Sequence, residues 1–382
     1  ENSSRMEKES AKGTNAKPCP VWKVNKTAAS EEMQAALKEA IKLLKGEEVV
    51  GFPTETVYGL GGSAFSDEAI QKIFGAKGRP SNNPLIVHVS DHEQVLSLVE
   101  KRVPEVAEKL MQKFWPGPLT IVLPIKKKGN KISKFVTCGM QTVGVRMPSH
   151  PIARAIIAGA QLPIAAPSAN KSGKPSPTAA AHVVDDLSTK ISGVVDGGST
   201  GIGLESTVVD CSEAAAAEEQ GNIADSHKVV ILRPGGVTIE MLREAVGGKN
   251  VSVDPGLKGE EKTLKPKSPG MLYTHYAPNA PFVLIQGSKD FFEKTVKDAR
   301  AENKKVGVLV TEDLKIGADH VETLAKNEKD LETASRKLYG ALRAFDQTEV
   351  EIIYAPLLGS SGIGAALANR MRKAAGNSVL TE

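Results

Sequence analysis

The sequence predicts an α/β protein built from two domains. Its 382 residues exceed what one typical hydrophobic core organises. Short apolar runs alternate with segments of helical period, which is the pattern of a sheet covered by helices. This alternation stops over residues 247–281, where Lys, Gly and Pro dominate, and then resumes. We therefore expect a large first domain, a linker and a smaller second domain.

The chain begins with a polar segment without periodicity, residues 1–27, which we interpret as a flexible tail. It contains no hydrophobic stretch of signal-peptide type, although its Lys, Ser and Asn content also suits the remnant of an organellar presequence. A first helix is expected next, because Met33, Leu37 and Leu44 recur at helical spacing before Gly46.

The first domain, residues 28–246, is predicted to contain a large mixed sheet. Its strand-like apolar runs alternate with helical stretches and turns. These runs cover residues 49–52, 85–89, 119–123, 143–145, 163–166, 194–196, 207–210 and 229–232. Residues 54–61 are predicted to form a loop after the first strand, and residues 213–227 a surface insertion without a chemical role.

The second domain, residues 282–382, is predicted to be a smaller doubly wound unit. Its expected strands are 282–285, 306–310 and 352–356, and its expected helices are 290–302, 328–345 and 361–375. The glycine-rich segment 359–364 falls between the last of these strands and the last helix. In that position it is a weak indication of an anion site at a helix N-terminus.

Composition excludes several classes of function. A formal net charge of +4, from 49 basic and 45 acidic side chains, is too small to indicate a nucleic-acid binder. Cys19, Cys138 and Cys211 form no CxxC pair, so we expect neither disulfides nor a structural zinc site, and we expect a reducing, cytoplasmic location. The histidines lack metal-ligand spacing, and no apolar run approaches the roughly 18 residues of a membrane helix. Neither a protein-bound metal nor a membrane partner is expected.

The loop around Lys77 and Arg79 is the first candidate for binding chemistry. Glycine and proline fix its backbone between a helical stretch and the strand 85–89. Lysine supplies a compact charge and arginine a planar fork of donors, so together they can neutralise phosphate oxygens. A lone pair of cations at this spacing is more often a solvated turn. The Asn-Asn-Pro sequence that follows, with His88 at the end of the next strand, favours a site.

Three strand ends bring further polar side chains to one edge of the predicted sheet. Arg146 closes the strand 143–145, Arg233 closes 229–232, and Ser206 opens 207–210. Proteins of the α/β class bind ligands at such edges. The turn at 165–173 adds small polar residues and backbone N–H groups that suit an anion. The sequence contains no GxxxxGK[ST] loop, so a nucleotide site here would be of an unusual type.

Together these motifs resemble the long, two-domain form of the threonylcarbamoyl-AMP synthase family. The resemblance rests on residues 53–60, 77–80, 84–88, 167–170, 205–207, 268–278 and 362–375, in this order. It implies a YrdC-like first domain with a mixed twisted sheet and a Rossmann-like second domain. It also implies a nucleotidyltransferase that makes L-threonylcarbamoyladenylate and pyrophosphate from L-threonine, bicarbonate or CO2, and ATP, for the modification of tRNA.

The resemblance implies site residues position by position. Those expected around L-threonine are Thr56, His88, Arg146, Ala166 and Ser206. Those expected at ATP are Arg79, Asn83, Thr142, Ser168, Ser176, Arg233 and Tyr276, while Lys77 and Arg79 are the expected catalytic cations. Mg²⁺ bridging the phosphates is the expected cofactor. Since Tyr276 lies in the linker, residues 268–278 are expected to fold over the nucleotide as a lid.

The expected partners are ATP, L-threonine, bicarbonate and a downstream tRNA threonylcarbamoyl transferase complex, with weak RNA binding as an addition. The alternative function is a double-stranded RNA or tRNA binding module without catalysis. Aromatic residues make up 4% of the chain, which argues against base stacking as its main role. No Ser/His/Asp or Cys/His arrangement is evident in the sequence, and adenylate formation needs none, because it depends on positioning and charge neutralisation.

Overall fold

Two sheets organise the chain in the structure, a computed structural model that describes residues 17–100, 103–222, 224–258 and 275–382. The strands are β1 (Val21–Lys23), β2 (Val50–Phe52), β3 (Gly59–Ser63), β4 (Ile86–His88), β5 (Leu119–Pro124), β6 (Thr142–Arg146), β7 (Ile164–Ala165), β8 (Gly193–Asp196), β9 (Thr207–Asp210), β10 (Val229–Arg233), β11 (Val251–Val253), β12 (Phe282–Gln286), β13 (Val306–Val310), β14 (His320–Thr323), β15 (Ile352–Pro356) and β16 (Val379–Thr381). The helices are α1 (Ser30–Lys45), α2 (Asp67–Lys77), α3 (His92–Leu98), α4 (Glu105–Phe114), α5 (Lys134–Thr137), α6 (Pro151–Ala160), α7 (Ala180–Leu187), α8 (Ser212–Glu219), α9 (Ile239–Val246), α10 (Lys289–Ala301), α11 (Leu331–Phe345) and α12 (Ile363–Ala374). No helix in these ranges combines the length and the apolarity that crossing a membrane requires.

The first sheet is large and mixed, which confirms the predicted fold class. Its strand order is β1-β8-β2-β3-β7-β4-β6-β5-β9-β10-β11. At its centre β4 and β6 run parallel with His88 opposite Arg146, and β5 and β9 run parallel with Leu119 opposite Thr207. Because β5 and β6 are antiparallel, the ends of β4 and β6 lie at the same edge as the starts of β5 and β9. This edge carries the polar residues described below.

Strand β3 corrects the prediction of a loop over residues 54–61. Gly59–Ser63 pairs antiparallel with β2, and every one of its residues is buried. A Cβ atom on Gly61 would lie 2.5 Å from the Phe52 ring and 2.8 Å from Ile164. Neighbouring side chains fill the space that a side chain at this position of β3 would need, so glycine is required there. A strand rich in glycine lacks the apolar residues on which strand prediction depends.

Two predicted domain boundaries are also wrong. The tail expected over residues 1–27 includes β1, which pairs in parallel with β8, while residues 1–16 lie outside the described ranges. The linker expected over 247–281 includes β11, which pairs with β10 in the first sheet. Three-residue strands at a sheet edge are too short to show a period. The insertion expected over 213–227 begins as helix α8, which buries Ala214 and Ala217.

The second domain has a five-stranded parallel sheet in the order β14-β13-β15-β12-β16. Helices cover both faces. Val306, Val308 and Val310 of β13 join a core cluster with α10, and Leu309, which points to the opposite face, joins a cluster with α11 and α12. This is the expected doubly wound arrangement, and it leaves α11 and α12 on the side that meets the first domain.

The two domains meet in one hydrophobic cluster. Val57 and Leu204 of the first domain lie in the same cluster of buried residues as α11 and α12. Gly203 is in the left-handed region, with φ of 81°, and a Cβ atom there would lie 2.4 Å from the Cα atom of Arg336 in α11. The backbone of the loop 201–206 is therefore in direct contact with α11, and only glycine permits that approach.

Candidate active site between the domains

A partly open cavity lies at the polar edge of the first sheet. Its walls bring together most of the site residues expected from the sequence. Those that line it are Thr56, Lys77, Arg79, His88, Arg146, Ala166, Ser168, Ser206, Arg233 and Tyr276. Ile86 and His88, which project from the same face of β4, both line it, so the cavity extends from the edge over that face.

Arg146 is held rigidly at one part of the cavity. Its Nη1 donates to Thr56 Oγ1 at 3.0 Å, and its Nε donates to the Gly117 carbonyl at 3.2 Å. Its Nη2 lies 2.5 Å from Oε1 of Glu55, and both side chains are almost fully buried. Arg146 is thus a fixed donor whose charge is balanced by a neighbouring acid, which suits recognition of a small carboxylate.

His88 faces Arg146 across the β4–β6 pair and is buried. Burial, together with the Arg146 charge, lowers the pKa of His88 to about 3. Its Nδ1 has no hydrogen-bond partner in the described part of the chain. The imidazole is therefore neutral at physiological pH, and one ring nitrogen is available to a ligand.

The low pKa of His88 predicts a pH dependence of stability. The unfolded chain binds a proton near pH 6.5 and the folded one near pH 3, so stability falls as pH drops through this window. At pH 5 the loss from this group is about 2 kcal/mol. In urea unfolding, the decrease in unfolding free energy from pH 7 to pH 5 should be about 2 kcal/mol smaller for His88→Asn than for the unsubstituted protein. The exposed His92→Asn is the control, and equal decreases in all three proteins would contradict the prediction.

Lys77 and Arg79 lie together on another wall, at the end of α2. Lys77 Nζ donates to the carbonyls of Ser168 and Asn170, the latter at 2.6 Å. Gly78, with φ of 60°, ends the helix in the left-handed conformation and turns the chain, so that Arg79 donates to the carbonyls of Asn83 and Pro84. Lys77 is therefore buried against the turn at 165–173 and Arg79 is half-buried, while Gly78 and residues 80–82 are exposed.

Burial sets the electrostatics of these two cations. It lowers the pKa of Lys77 well below the usual value, with the nearby Arg79 charge adding to the effect, and it lowers the pKa of Arg79 to about 10. Two cations held close together at buried positions of their charged groups are in an unfavourable position that an anion relieves. This wall is suited to phosphate groups.

Ser206 and Arg233 form the third polar group of the cavity. Arg233 Nε donates to the Ser206 carbonyl at 3.0 Å, and its Nη2 donates to Ser206 Oγ at 3.1 Å. A Cβ atom on Gly235 would lie 2.3 Å from the Thr207 nitrogen, so the chain after Arg233 passes directly against this segment. The prediction that Arg146, Ser206 and Arg233 converge at one sheet edge is confirmed by the strand registers.

Three expected site residues do not line the cavity. Asn83 is buried behind the Arg79 guanidinium, and Thr142 lines a smaller neighbouring cavity of about 270 Å³, which shares Ile86 with the larger one. Ser176 is fully buried, and its hydroxyl donates to Glu205 Oε1 at 2.6 Å. Asn83 and Ser176 therefore support wall residues, and Thr142 would meet only a ligand that reaches the second cavity.

Sequence reasoning assigned no role to Glu205, although this acid lines the cavity. Its carboxylate accepts hydrogen bonds from Tyr339 of α11 and from Nε of Arg370 of α12, at 2.9 and 2.8 Å. The only available signal was its place beside Ser206, because its two partners follow it by 134 and 165 residues. Contacts this distant in the chain leave no local pattern.

Tyr276 enters the site from the segment that precedes β12. It is buried, has a φ of 69°, and its ring lies 5.1 Å from the Tyr339 ring. Ala277 N donates to the carbonyl of Gly173, which also lines the cavity. Of the segment expected to act as a lid, residues 268–274 lie outside the described ranges. Across those ranges, no group of three or more His, Cys, Asp or Glu residues could hold a metal ion.

Comparison with known proteins agrees with this architecture. Residues 42–221 match a family described as telomere recombination, and residues 237–376 match the threonylcarbamoyl-AMP synthase C-terminal domain. The chain is 46% identical to threonylcarbamoyl-AMP synthase of Bacillus subtilis over 94% of its own length and 98% of that protein. It is 41% identical to the enzyme of the same name from Pyrococcus abyssi, over 90% and 95%. The crystal structure of P. abyssi Sua5 complexed with L-threonine superposes with a TM-score of 0.83 at 39% identity, covering 95% of this chain and 99% of that one.

Proposed function

Because the chain belongs to the threonylcarbamoyl-AMP synthase family, we propose that its cavity joins L-threonine, bicarbonate or CO2, and ATP into L-threonylcarbamoyladenylate, which serves tRNA modification. The product is an adenylate, so the reaction is a nucleotidyl transfer. A tRNA threonylcarbamoyl transferase complex would then consume this product, and binding of RNA by this chain itself would be weak.

One observation carries the proposal for the site. A rigid arginine beside a neutral histidine lines the same cavity as buried Lys77 and half-buried Arg79. Arg146 suits the carboxylate of an amino acid, and Lys77 with Arg79 suits a triphosphate. Arg233, Ser168 and Tyr276 lie on the walls around them. The geometry supports two anionic substrates held side by side, which is the arrangement that adenylate formation requires.

The reaction has two steps. The neutral amine of threonine first forms an N–C bond to CO2 and releases a proton to solvent, or it reacts with bicarbonate with loss of water; either route gives a carbamate. A carbamate oxygen then forms a bond to the α-phosphorus of ATP while the bond to the β-phosphate oxygen breaks, and pyrophosphate leaves with the electron pair. No protein nucleophile is needed, because the task of the site is to hold two anions in line and to neutralise developing charge.

The residues divide this task by their chemistry. Arg146 would fix the threonine carboxylate, while the Thr56 and Ser206 hydroxyls and the free nitrogen of His88 would contact its polar groups. Ala166 leaves room beside them. Because His88 stays neutral, it adds no positive charge that would draw the triphosphate into the amino-acid pocket.

ATP would enter as its Mg²⁺ complex. Among the described residues that line the cavity, Glu205 is the one carboxylate, and its oxygens already accept hydrogen bonds from Ser176, Tyr339 and Arg370. The donor set therefore fits a cation held by phosphate oxygens and water, which is how Mg²⁺ usually binds with nucleotides. Its contribution would be to offset phosphate charge.

A direct test is incubation of the protein with ATP, L-threonine and bicarbonate, followed by mass detection of threonylcarbamoyl-adenylate and measurement of pyrophosphate. We expect both products to depend on threonine and on bicarbonate. Salt-sensitive RNA binding without pyrophosphate release would instead indicate a binding module and would overturn the proposal.

Amino-acid choice provides a second prediction. In a pocket of buried polar groups, valine would leave a hydroxyl partner without its hydrogen bond, at a cost on the order of 1 to 3 kcal/mol. We expect kcat/KM for threonine to exceed that for valine by about 5- to 150-fold in pyrophosphate release. Serine, which keeps the hydroxyl, is the matched comparison. Equal use of threonine and valine would show that the pocket does not read the hydroxyl.

A further inference from the structure

Two side chains of the second domain are hydrogen-bonded to an acid in the wall of the active site. Glu205, Ser176, Tyr339 and Arg370, here called the Glu205 cluster, are connected by hydrogen bonds across the domain boundary. Glu205 lines the cavity from the first domain, whereas Tyr339 belongs to α11 and Arg370 to α12. The cluster thus joins the reaction cavity to two helices that carry no expected substrate contact.

Arg370 is an unusual residue for the inside of a doubly wound domain. It is 0% exposed and is the largest of the fully buried side chains among the described residues. A charge in that position is costly unless it is paired, and its partner is the Glu205 carboxylate. Although burial raises the pKa of Glu205, the charges of Arg370 and Arg233 lower it to about 2. The pair is therefore ionised, and each member depends on the other.

The Glu205 cluster also fixes the neighbouring site residues. Glu205 immediately precedes Ser206, whose carbonyl and hydroxyl both accept hydrogen bonds from Arg233. On the other side, Tyr339 stacks on Tyr276, and the Arg370 guanidinium lies 5.9 Å from the centre of the Tyr276 ring. Anchoring Glu205 therefore holds an arginine and a tyrosine of the cavity wall at once.

We propose that Arg370 and Tyr339 are positioning residues for ATP: they neutralise and anchor Glu205, so that the wall formed by Arg233 and Tyr276 accepts a polyanion. This inference rests on the proposed function of the site. Without Arg370, a buried carboxylate would face the triphosphate unbalanced. The energetic effect should then fall on ATP more than on threonine, whose carboxylate is expected at Arg146.

The test compares substitutions on one helix. Arg370→Met removes the charge while keeping much of the volume, and Arg372→Met changes an exposed arginine of the same helix and serves as the control. For Arg370→Met we expect KM for ATP to rise by about 10- to 100-fold, with KM for threonine close to that of the unsubstituted protein. Tyr339→Phe, which removes only the hydroxyl donor, should raise KM for ATP by about fivefold.

A double substitution separates positioning from general structural support. In Glu205→Gln/Arg370→Met both charges are gone, while the amide oxygen still accepts from Ser176 and Tyr339. We expect KM for ATP to return most of the way to that of the unsubstituted protein. A double variant as impaired as Arg370→Met, or an Arg370→Met variant with unchanged KM for ATP, would overturn the inference.

Calorimetric binding of a non-hydrolysable ATP analogue keeps this test independent of turnover. If the protein makes no threonylcarbamoyl-adenylate, the proposed function fails, but the analogue still reports whether Arg370 controls nucleotide affinity. If Arg370→Met does not fold, affinity for the analogue is compared between the unsubstituted protein, Tyr339→Phe and the double variant. Unchanged affinity for the analogue in these variants would count against the inference.

Discussion

Arg79→Met is expected to lower the rate of threonylcarbamoyl-adenylate formation by about 10²- to 10³-fold, and Lys77→Met is expected to do the same. Each substitution removes a cation from the wall suited to the triphosphate. Charge stabilisation in a buried site is worth more than in water, because solvent does not screen it. Methionine keeps the aliphatic volume, so the expected loss is in turnover and not in packing. The loss of turnover is measured as the rate of pyrophosphate release at saturating substrate concentrations.

The matched control for these two variants is Lys72→Met, on the same helix as Lys77 but paired with Glu48 and Glu68 outside the cavity. Its turnover should equal that of the unsubstituted protein. Thermal unfolding should show all three variants folded. Normal pyrophosphate release from folded Arg79→Met and Lys77→Met would remove the phosphate role from this loop.

The second large effect is expected at Arg146, whose substitution should weaken both threonine binding and folding stability. Arg146→Met removes the expected partner of the threonine carboxylate and leaves Glu55 buried without its counter-charge. Breaking a buried pair in this way costs about 3 to 5 kcal/mol of folding stability. We expect KM for threonine to rise at least about 100-fold, because a charge-assisted contact is lost. Urea unfolding and initial rates measure the two effects separately.

Glu55→Gln/Arg146→Met distinguishes the two roles of Arg146. Removing both charges should restore most of the unfolding free energy, because no unpaired charge remains in the core. Threonine use should stay impaired, since the carboxylate still lacks its partner. Recovery of threonine use in the double variant would mean that Arg146 serves the fold alone.

The predictable part of the molecule was the part whose signal is local. Apolar runs located β4, β5, β9 and β10, and helical spacing located α11 and α12. Strand β3 was missed because Gly61, which makes room for the Phe52 ring, has no side chain and so gives no apolar signal. Strands β1 and β11 were missed because they are short edge strands that bury only Val251 of their six residues, so neither contains an apolar run.

The site residues also differ in whether a local signal could predict them. Arg146, Arg233 and Ser206 stand at strand ends, and the registers of a sheet bring such ends together. Glu205 could not be predicted, because a carboxylate in a site for two anions is unfavourable until its partners are known. Those partners lie on α11 and α12, and nothing near Glu205 in the sequence indicates that a buried arginine will neutralise it.

The domain contact at Gly203 and Glu205 has a consequence for the order in which the protein is made. Translation produces the first domain before α11 and α12 exist, and domains generally fold as they emerge. The large sheet can then form while Glu205 still lacks Arg370, which follows it by 165 residues. A chain that terminates early would carry the cavity walls of the first domain with an uncompensated carboxylate among them. On the proposed role of Arg370, tight binding of the nucleotide would begin only when synthesis has reached α12.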